Sequence, residues 1–199
     1  MKRSSKRSVG LAVAPLLWTL AGAALAAGAA EPPVVVALDA SRSLSAAESR
    51  AAADWAKGLL GALPGSATPG VLVFDDEVRW LARPGATGAS GAISGLDALA
   101  PAGRYTVLND GIIEGVRALG DGGVLVLVSD GKDENSATTL EDAARLASEN
   151  GVRLVTVAAG RADERTLRRL ALLTGGLHAG RADQVPASGI GEQIAALRT

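Results

Sequence analysis

The chain has 199 residues, enough for one hydrophobic core and short for two on the usual scale of about 100 to 200 residues per domain. Apolar residues make up 48% of it and aromatic residues only 3%, so its core is built from Ala, Val, Leu and Ile, which suits a tightly packed α/β fold. The lack of cysteine excludes disulfides, thiolate metal sites, cysteine nucleophiles and a lipid-carrying cysteine. Past Arg7 the 21 acidic residues outnumber the basic ones, with no basic stripe to serve a nucleic acid partner.

Lys2, Arg3, Lys6 and Arg7 precede an apolar stretch from Val9 to Ala30, broken only by small residues, Pro15 and Thr19. Ala24-Leu25-Ala26 and Ala27-Gly28-Ala29 both place small residues where a signal peptidase reads them. The expectation is a secretory signal peptide over residues 1–30, a linker over 31–33 and one domain over 34–199. Export to the periplasm or the medium follows. An apolar stretch of about 20 residues is also long enough to stay as an N-terminal anchor, which would be the domain's one membrane contact.

Val34-Val35-Val36-Ala37-Leu38 reads as a strand buried on both faces, as in a parallel sheet, and it stops at Asp39-Ala40-Ser41-Arg42-Ser43. The carboxyl end of such a strand is where open α/β sheets bind ligands. The pattern Asp-x-Ser-x-Ser lets a turning loop aim a carboxylate and two hydroxyls at one point, and oxygen-only ligation suits a hard cation such as Mg²⁺. Ser45-x-x-Glu48 has the form of a capping box and opens a helix carrying Ala52, Trp55, Ala56, Leu59 and Leu63, stopped by Pro64-Gly65.

Val71 to Phe74 predicts a second strand, and Val78 to Ala82 an antiparallel edge strand joined to it by the Asp75-Asp76-Glu77 turn. Asp75 and Asp76 are read as turn residues with a cation site as the alternative. A weak helix around Ile93, Leu96 and Leu99 follows. Gly103 to Asp110 is a loop with Thr106 just ahead of a helix marked by Leu108, Ile112, Val116 and Leu119.

Val124 to Ser129 repeats the first design, an apolar run ending in Asp130-Gly131. Asp133 and Glu134 read as solvated loop residues, with added negative charge near a cation as the alternative. Thr138-Thr139-Leu140-Glu141 reads as a second capping box, Asn150-Gly151 as a left-handed cap. A strand over Val152 to Ala158, a helix over Asp163 to Thr174, a short strand over Leu177 to Ala179 and a closing helix with Ile190, Ile194 and Leu197 complete the chain. Strands alternating with helices mean right-handed crossovers and an α/β, doubly wound, mostly parallel sheet with helices on both faces and one antiparallel edge strand.

The ordered set Asp39-x-Ser41-x-Ser43, Thr106 before a helix and Ser129-Asp130-Gly131 after a central strand resembles the von Willebrand factor A domain family over about Pro33 to Leu197. The resemblance implies a Rossmann-like fold and a metal-ion-dependent adhesion site formed by Asp39, Ser41, Ser43, Thr106 and Asp130. It implies that the three hydroxyls touch the metal while Asp39 and Asp130 act mostly through waters. The cation would be Mg²⁺, or Mn²⁺ or Ca²⁺, and the partner a protein that supplies an acidic side chain. Arg42, Leu44 and the pair Arg104-Tyr105 depart from the common family forms without removing a ligand.

Catalytic parts are sparse. His178 is the single histidine, and no Gly-x-Ser-x-Gly elbow or phosphate-cradling Gly-x-x-x-x-Gly-Lys-Ser/Thr loop occurs. The expectation is therefore an exported binding module and not an enzyme. A metal-dependent hydrolase using Asp39 and Asp130, and a metal-free structural interaction domain of the same fold, are the alternatives.

Overall fold

The computed structural model describes residues 33–64, 67–85 and 89–196; the signal peptide or anchor expected over 1–30 lies outside them. Six strands form one sheet in the order β3-β2-β1-β4-β5-β6. They are β1 (Val34–Asp39), β2 (Gly70–Phe74), β3 (Val78–Ala82), β4 (Gly123–Ser129), β5 (Val152–Ala158) and β6 (Leu177–Arg181). All pairs are parallel except β2 with β3, the antiparallel edge.

The side chains of the central strands divide between two layers because successive residues of a strand face opposite ways. Val34, Val36 and Leu38 of β1, with Val124, Val126 and Val128 of β4, pack under α1 (Ala46–Ala62), α2 (Ala89–Asp97) and α6 (Ala187–Ala196). Val35, Ala37, Leu125 and Leu127 face α3 (Leu108–Leu119), α4 (Leu140–Glu149) and α5 (Glu164–Leu173). Burial on both faces is what the unbroken apolar runs of β1 and β4 predict, and it makes these two strands the rigid centre of the domain.

Local signals set the helix starts. Ser45 and Glu48 form the expected capping box of α1. At α4 the box is one residue later than the sequence suggested: Thr139 is the cap, and Asp142, not Glu141, returns the bond. Two adjacent threonines followed by two adjacent acids satisfy the same spacing rule twice, and only the path of the loop decides between them. The last strand runs on to Arg181, beyond the expected Ala179.

Strand order creates the functional edge. From β1 the chain moves outward to β2 and β3, then returns through α3 to the other side of β1 and continues outward through β4, β5 and β6. The direction of winding reverses between β1 and β4, and at such a switch point the loops leaving the two carboxyl ends part to leave a crevice.

The single histidine serves the sheet. Thr156 on β5 donates to Leu167 O at 3.1 Å and meets His178 Nδ1 at 3.0 Å, so the ring proton sits on Nδ1. Nε2 is buried without a hydrogen-bond partner, and the nearest Glu164 oxygen is 3.7 Å away. Burial, then the Arg168 charge, push His178 below its ordinary value of 6.5, against the pull of Glu164. The folded state therefore prefers the neutral ring, and the unfolded state takes up the proton first as pH falls. This contribution to stability is complete above 6.5 and is lost as pH falls through 6.5 toward the lower folded value. Urea unfolding at about pH 7.5 and about pH 5.5 is expected to show a larger acid loss for the wild type than for His178→Gln; equal losses would contradict it.

Candidate metal centre

Asp39 ends β1 with its carboxylate only 1% exposed. Its Oδ1 accepts from the Ser41 amide at 2.9 Å and the Ser41 hydroxyl at 2.6 Å, and its Oδ2 accepts from the Ser129 hydroxyl at 2.8 Å. The Ser41 proton being committed to Asp39, Ser43 donates to Ser41 across 2.7 Å. A chain of oxygens thus runs from the buried carboxylate out to the exposed Ser43. Behind it, Leu44 is buried and pins the loop to the core.

Burial pushes the Asp39 carboxyl above its ordinary value, the Asp130 charge adds to this, and the bonds from Ser41 and Ser129 only partly offset it. A carboxylate in such a place is short of positive charge.

Thr106 reaches the same edge by a different route. Arg42 donates its amide to Gly103 O at 3.0 Å, and Ala102 donates to Ala40 O at 3.0 Å, so the loop before α3 lies as a short bridge along the Asp39 loop. Gly103 is required there, because a β-carbon would strike the Asp75 side chain. Asp76 accepts from the amides of Arg104 (3.1 Å) and Tyr105 (2.6 Å), and Val107 donates to Asp75 O at 2.9 Å. The amide bonds from Arg104 and then Tyr105 hold Asp76 below the ordinary carboxylate range.

From the other side, the amides of Glu134 and Asn135 donate to Thr106 O at 2.9 and 3.2 Å. Thr106 is fully buried, its backbone is held from both sides, and its Oγ1 has no hydrogen-bond partner.

The third loop leaves β4. Ser129 accepts from the Gly131 amide at 3.0 Å while donating to Asp39, and Gly131 takes φ +77°, which suits a residue without a β-carbon. Asp130 is fully buried; its Oδ1 accepts from the Lys132 amide at 3.1 Å and its Oδ2 from Lys132 Nζ at 2.8 Å.

All five expected site residues therefore lie at the switch point between β1 and β4. Ser129 and Lys132 join them, and neither was singled out from the sequence. Ser129 was legible as part of Ser-Asp-Gly, whereas nothing local marks Lys132.

Three further acids carry bracing duties in addition to those expected. Asp75 keeps its expected turn duty, Oδ1 accepting from the Glu77 amide at 3.3 Å, and its carboxylate also accepts both Arg79 nitrogens, at 3.0 and 2.7 Å, while the Asp76 carboxylate, in the same turn, braces the Thr106 loop. Asp133 is the exposed loop residue expected, and it also accepts from the Asn109 amide at 3.2 Å and from the Ser136 hydroxyl, closing the N-terminus of α3.

The donor set fits a hard cation. It offers three hydroxyls and two carboxylates, whereas no cluster of three or more His, Asp or Glu with metal-holding geometry occurs among the described residues. A buried hydroxyl without a partner costs about 1–3 kcal/mol, and Thr106 Oγ1 carries that cost. In EDTA, Thr106→Val is accordingly expected to unfold at a urea concentration no lower than the wild type, with a gain of up to about 1 kcal/mol. A clear loss of stability would show that the hydroxyl is satisfied in the metal-free protein.

Residues 34–187 match the family model described as the von Willebrand factor type A domain. No curated protein sequence matches the chain. Among solved structures, an aerotolerance-related membrane protein from Bacteroides fragilis superposes with a TM-score of 0.70 at 16% identity, covering 83% of this chain and 98% of that one. Manganese-loaded TRAP protein from Plasmodium vivax superposes at 0.59 with 18% identity, covering 71% of this chain and 62% of that one. Proximal thread matrix protein 1 from the mussel byssus, solved with zinc in its MIDAS motif, superposes at 0.63 with 18% identity, covering 84% of this chain and 48% of that one. At these identities the structures attest the fold alone, and the family rests on the match from the start of β1 into α6: the chain belongs to the von Willebrand factor type A domain family.

Proposed function

We propose that this domain binds a divalent cation, Mg²⁺ or Mn²⁺ ahead of Ca²⁺, and through it an acidic side chain of a protein partner. The observation that carries the reading is Thr106 Oγ1, buried without a partner in the loop that is bridged through Gly103 to the loop carrying the Asp39-Ser41-Ser43 oxygen chain. Ser41, Ser43 and Thr106 would hold the ion by their hydroxyls, with Asp39 and Asp130 orienting those hydroxyls and bound water. A cation held by neutral oxygens keeps most of its charge and so supplies strong attraction for an incoming carboxylate. Metal-bearing relatives of the same fold, with manganese and with zinc, support the reading.

The chain's own residues shape the rest of the surface. Arg42 and Arg104 are exposed, next in sequence or one residue removed from Ser41 and Thr106, and the Arg104 guanidinium lies over the ring of Tyr105, itself 42% exposed, at 5.3 Å. Arginines that pair with further acidic groups and a tyrosine that packs beside them make a rim suited to an acidic protein segment. We read the role as recognition rather than turnover, a reading supported by the Asp39 oxygens bonding to Ser41 and Ser129 within the site. The apolar N-terminal stretch directs the domain out of the cytoplasm. Among the described residues no helix is long and apolar enough to cross a membrane.

Three measurements test this. Thermal unfolding with Mg²⁺ or Mn²⁺ against EDTA is expected to rise for the wild type by an amount equivalent to about 2.7 kcal/mol at a hundredfold excess over Kd, and not for Asp39→Asn. Identical transitions with and without metal would overturn the metal reading. Proteins retained from native extract on the immobilised domain should be lost in EDTA and with Ser41→Ala; retention in every condition would favour a metal-free interaction domain. N-terminal sequencing of protein recovered from the envelope or medium should begin between Ala27 and Glu31, and a start at Met1 or Lys2 in the membrane fraction would mean an anchor.

A further inference from the structure

The described residues contain two lysines, Lys57 and Lys132. Lys57 lies away from the site and pairs with Asp54 at 2.7 Å and Asp97 at 2.9 Å. Lys132 does something else. Its ammonium folds back over its own loop onto the fully buried Asp130 carboxylate, at 2.8 Å from Oδ2, and donates at 3.0 Å to Arg161 O in the loop after β5. Its amide occupies the other Asp130 oxygen. Asp130 therefore has both oxygens engaged by one residue, and the positive charge on it comes from the protein.

A fully buried carboxylate near a second buried carboxylate, Asp39, needs a cation close by, and a lysine side chain that is 49% exposed can leave for solvent once another cation answers the Asp130 charge. A carboxylate that is to orient a metal-bound water must offer an oxygen, and Oδ2 is held by the ammonium while Lys132 is folded in.

We infer that Lys132 is a tethered counter-cation, which holds the place of the metal's charge on Asp130 in the unloaded domain and swings out to the rim when a divalent ion is taken up. This rests on the metal reading of the site. The exchange sets metal affinity, because the ion must displace a charge already present. It also ties loading to the surface: the released ammonium joins Arg42 and Arg104 on the face that meets an acidic partner, and the link to Arg161 O between the β4 and β5 loops is given up.

The test uses the whole protein. Mn²⁺ is titrated calorimetrically into wild type, Lys132→Met and Lys132→Arg, and lysine acetylation by an activated ester is followed by mass spectrometry with Mn²⁺ and with EDTA. Removing one positive charge from the edge of a partly solvated dication site is worth about tenfold, so Lys132→Met should bind Mn²⁺ about tenfold more tightly, while Lys132→Arg, which keeps the charge, stays near the wild type. Acetylation of Lys132 should quicken on adding Mn²⁺ to the wild type while that of Lys57 is unchanged.

Equal affinity for wild type and Lys132→Met, tightening by Lys132→Arg as well, or a Lys132 labelling rate indifferent to Mn²⁺ each overturn the exchange while leaving a metal-binding site in place. Binding by Lys132→Met alone would mean that the exchange is strong enough to close the wild-type site. No binding by any of the three proteins overturns the metal reading itself, and the exchange with it.

Discussion

The constraint on which this structure turns is a carboxylate with almost no access to water. Asp39 closes a strand buried on both faces, and the backbone that brings it there leaves its charge nowhere to be solvated. Three hydrogen bonds from two residues hold it, yet they come from neutral groups and leave its negative charge uncompensated. The surrounding loops are arranged around that deficit. Ser41 turns inward to bond it, Ser43 extends the bonding outward, Ser129 crosses from the neighbouring strand, and Thr106, on the loop bridged to this one, keeps a hydroxyl unbonded.

Holding such a set needs braces that do not themselves carry the chemistry. The acids of the chain divide on this line. Asp39 and Asp130 lie inside the sheet edge, where burial makes their charge expensive. Asp76 and Asp133 lie outside it, where each accepts backbone amides, of Arg104 and Tyr105 in one case and of Asn109 in the other. Asp75 is buried but answered by the Arg79 fork. Asp75 is held by a two-nitrogen fork, whereas Asp39 has only neutral partners and Asp130 a single, half-exposed ammonium, and these two are the charges available to a ligand.

Winding supplies the position. With β1 flanked by β2 and β4, the Asp39 loop lies between the Thr106 loop on one side and the Ser129-Asp130 loop on the other. The close packing of Gly103 against Asp75 lets the first of these come near enough for a bridge to form. A larger residue there would move Thr106, and the centre would lose a hydroxyl without losing any residue of its motif.

Much of this was legible in the amino-acid sequence because its causes are local. Unbroken apolar runs identify β1 and β4 as central strands, a period of 3.6 identifies α3, and Ser45 with Glu48 marks a helix start within four residues of chain. The five site residues are named through the family resemblance, whose motifs follow such runs or just precede such a helix. What the sequence left open depends on which strands become neighbours and in what register. The bond from Ser129 to Asp39 joins residues 90 apart, and the one from Tyr105 to Asp76 residues 29 apart. Near in sequence as it is, the Lys132 contact with Asp130 depends on the loop doubling back toward Arg161. The capping box read at Thr138 and Glu141 falls one residue later, at Thr139 and Asp142, for the same reason. Spacing rules admit both, and the packed loop admits one. Local periodicity and capping determine the elements and the residues at their ends, whereas partners for buried charges are chosen by tertiary packing, since only there is the cost of an unanswered charge or hydroxyl incurred.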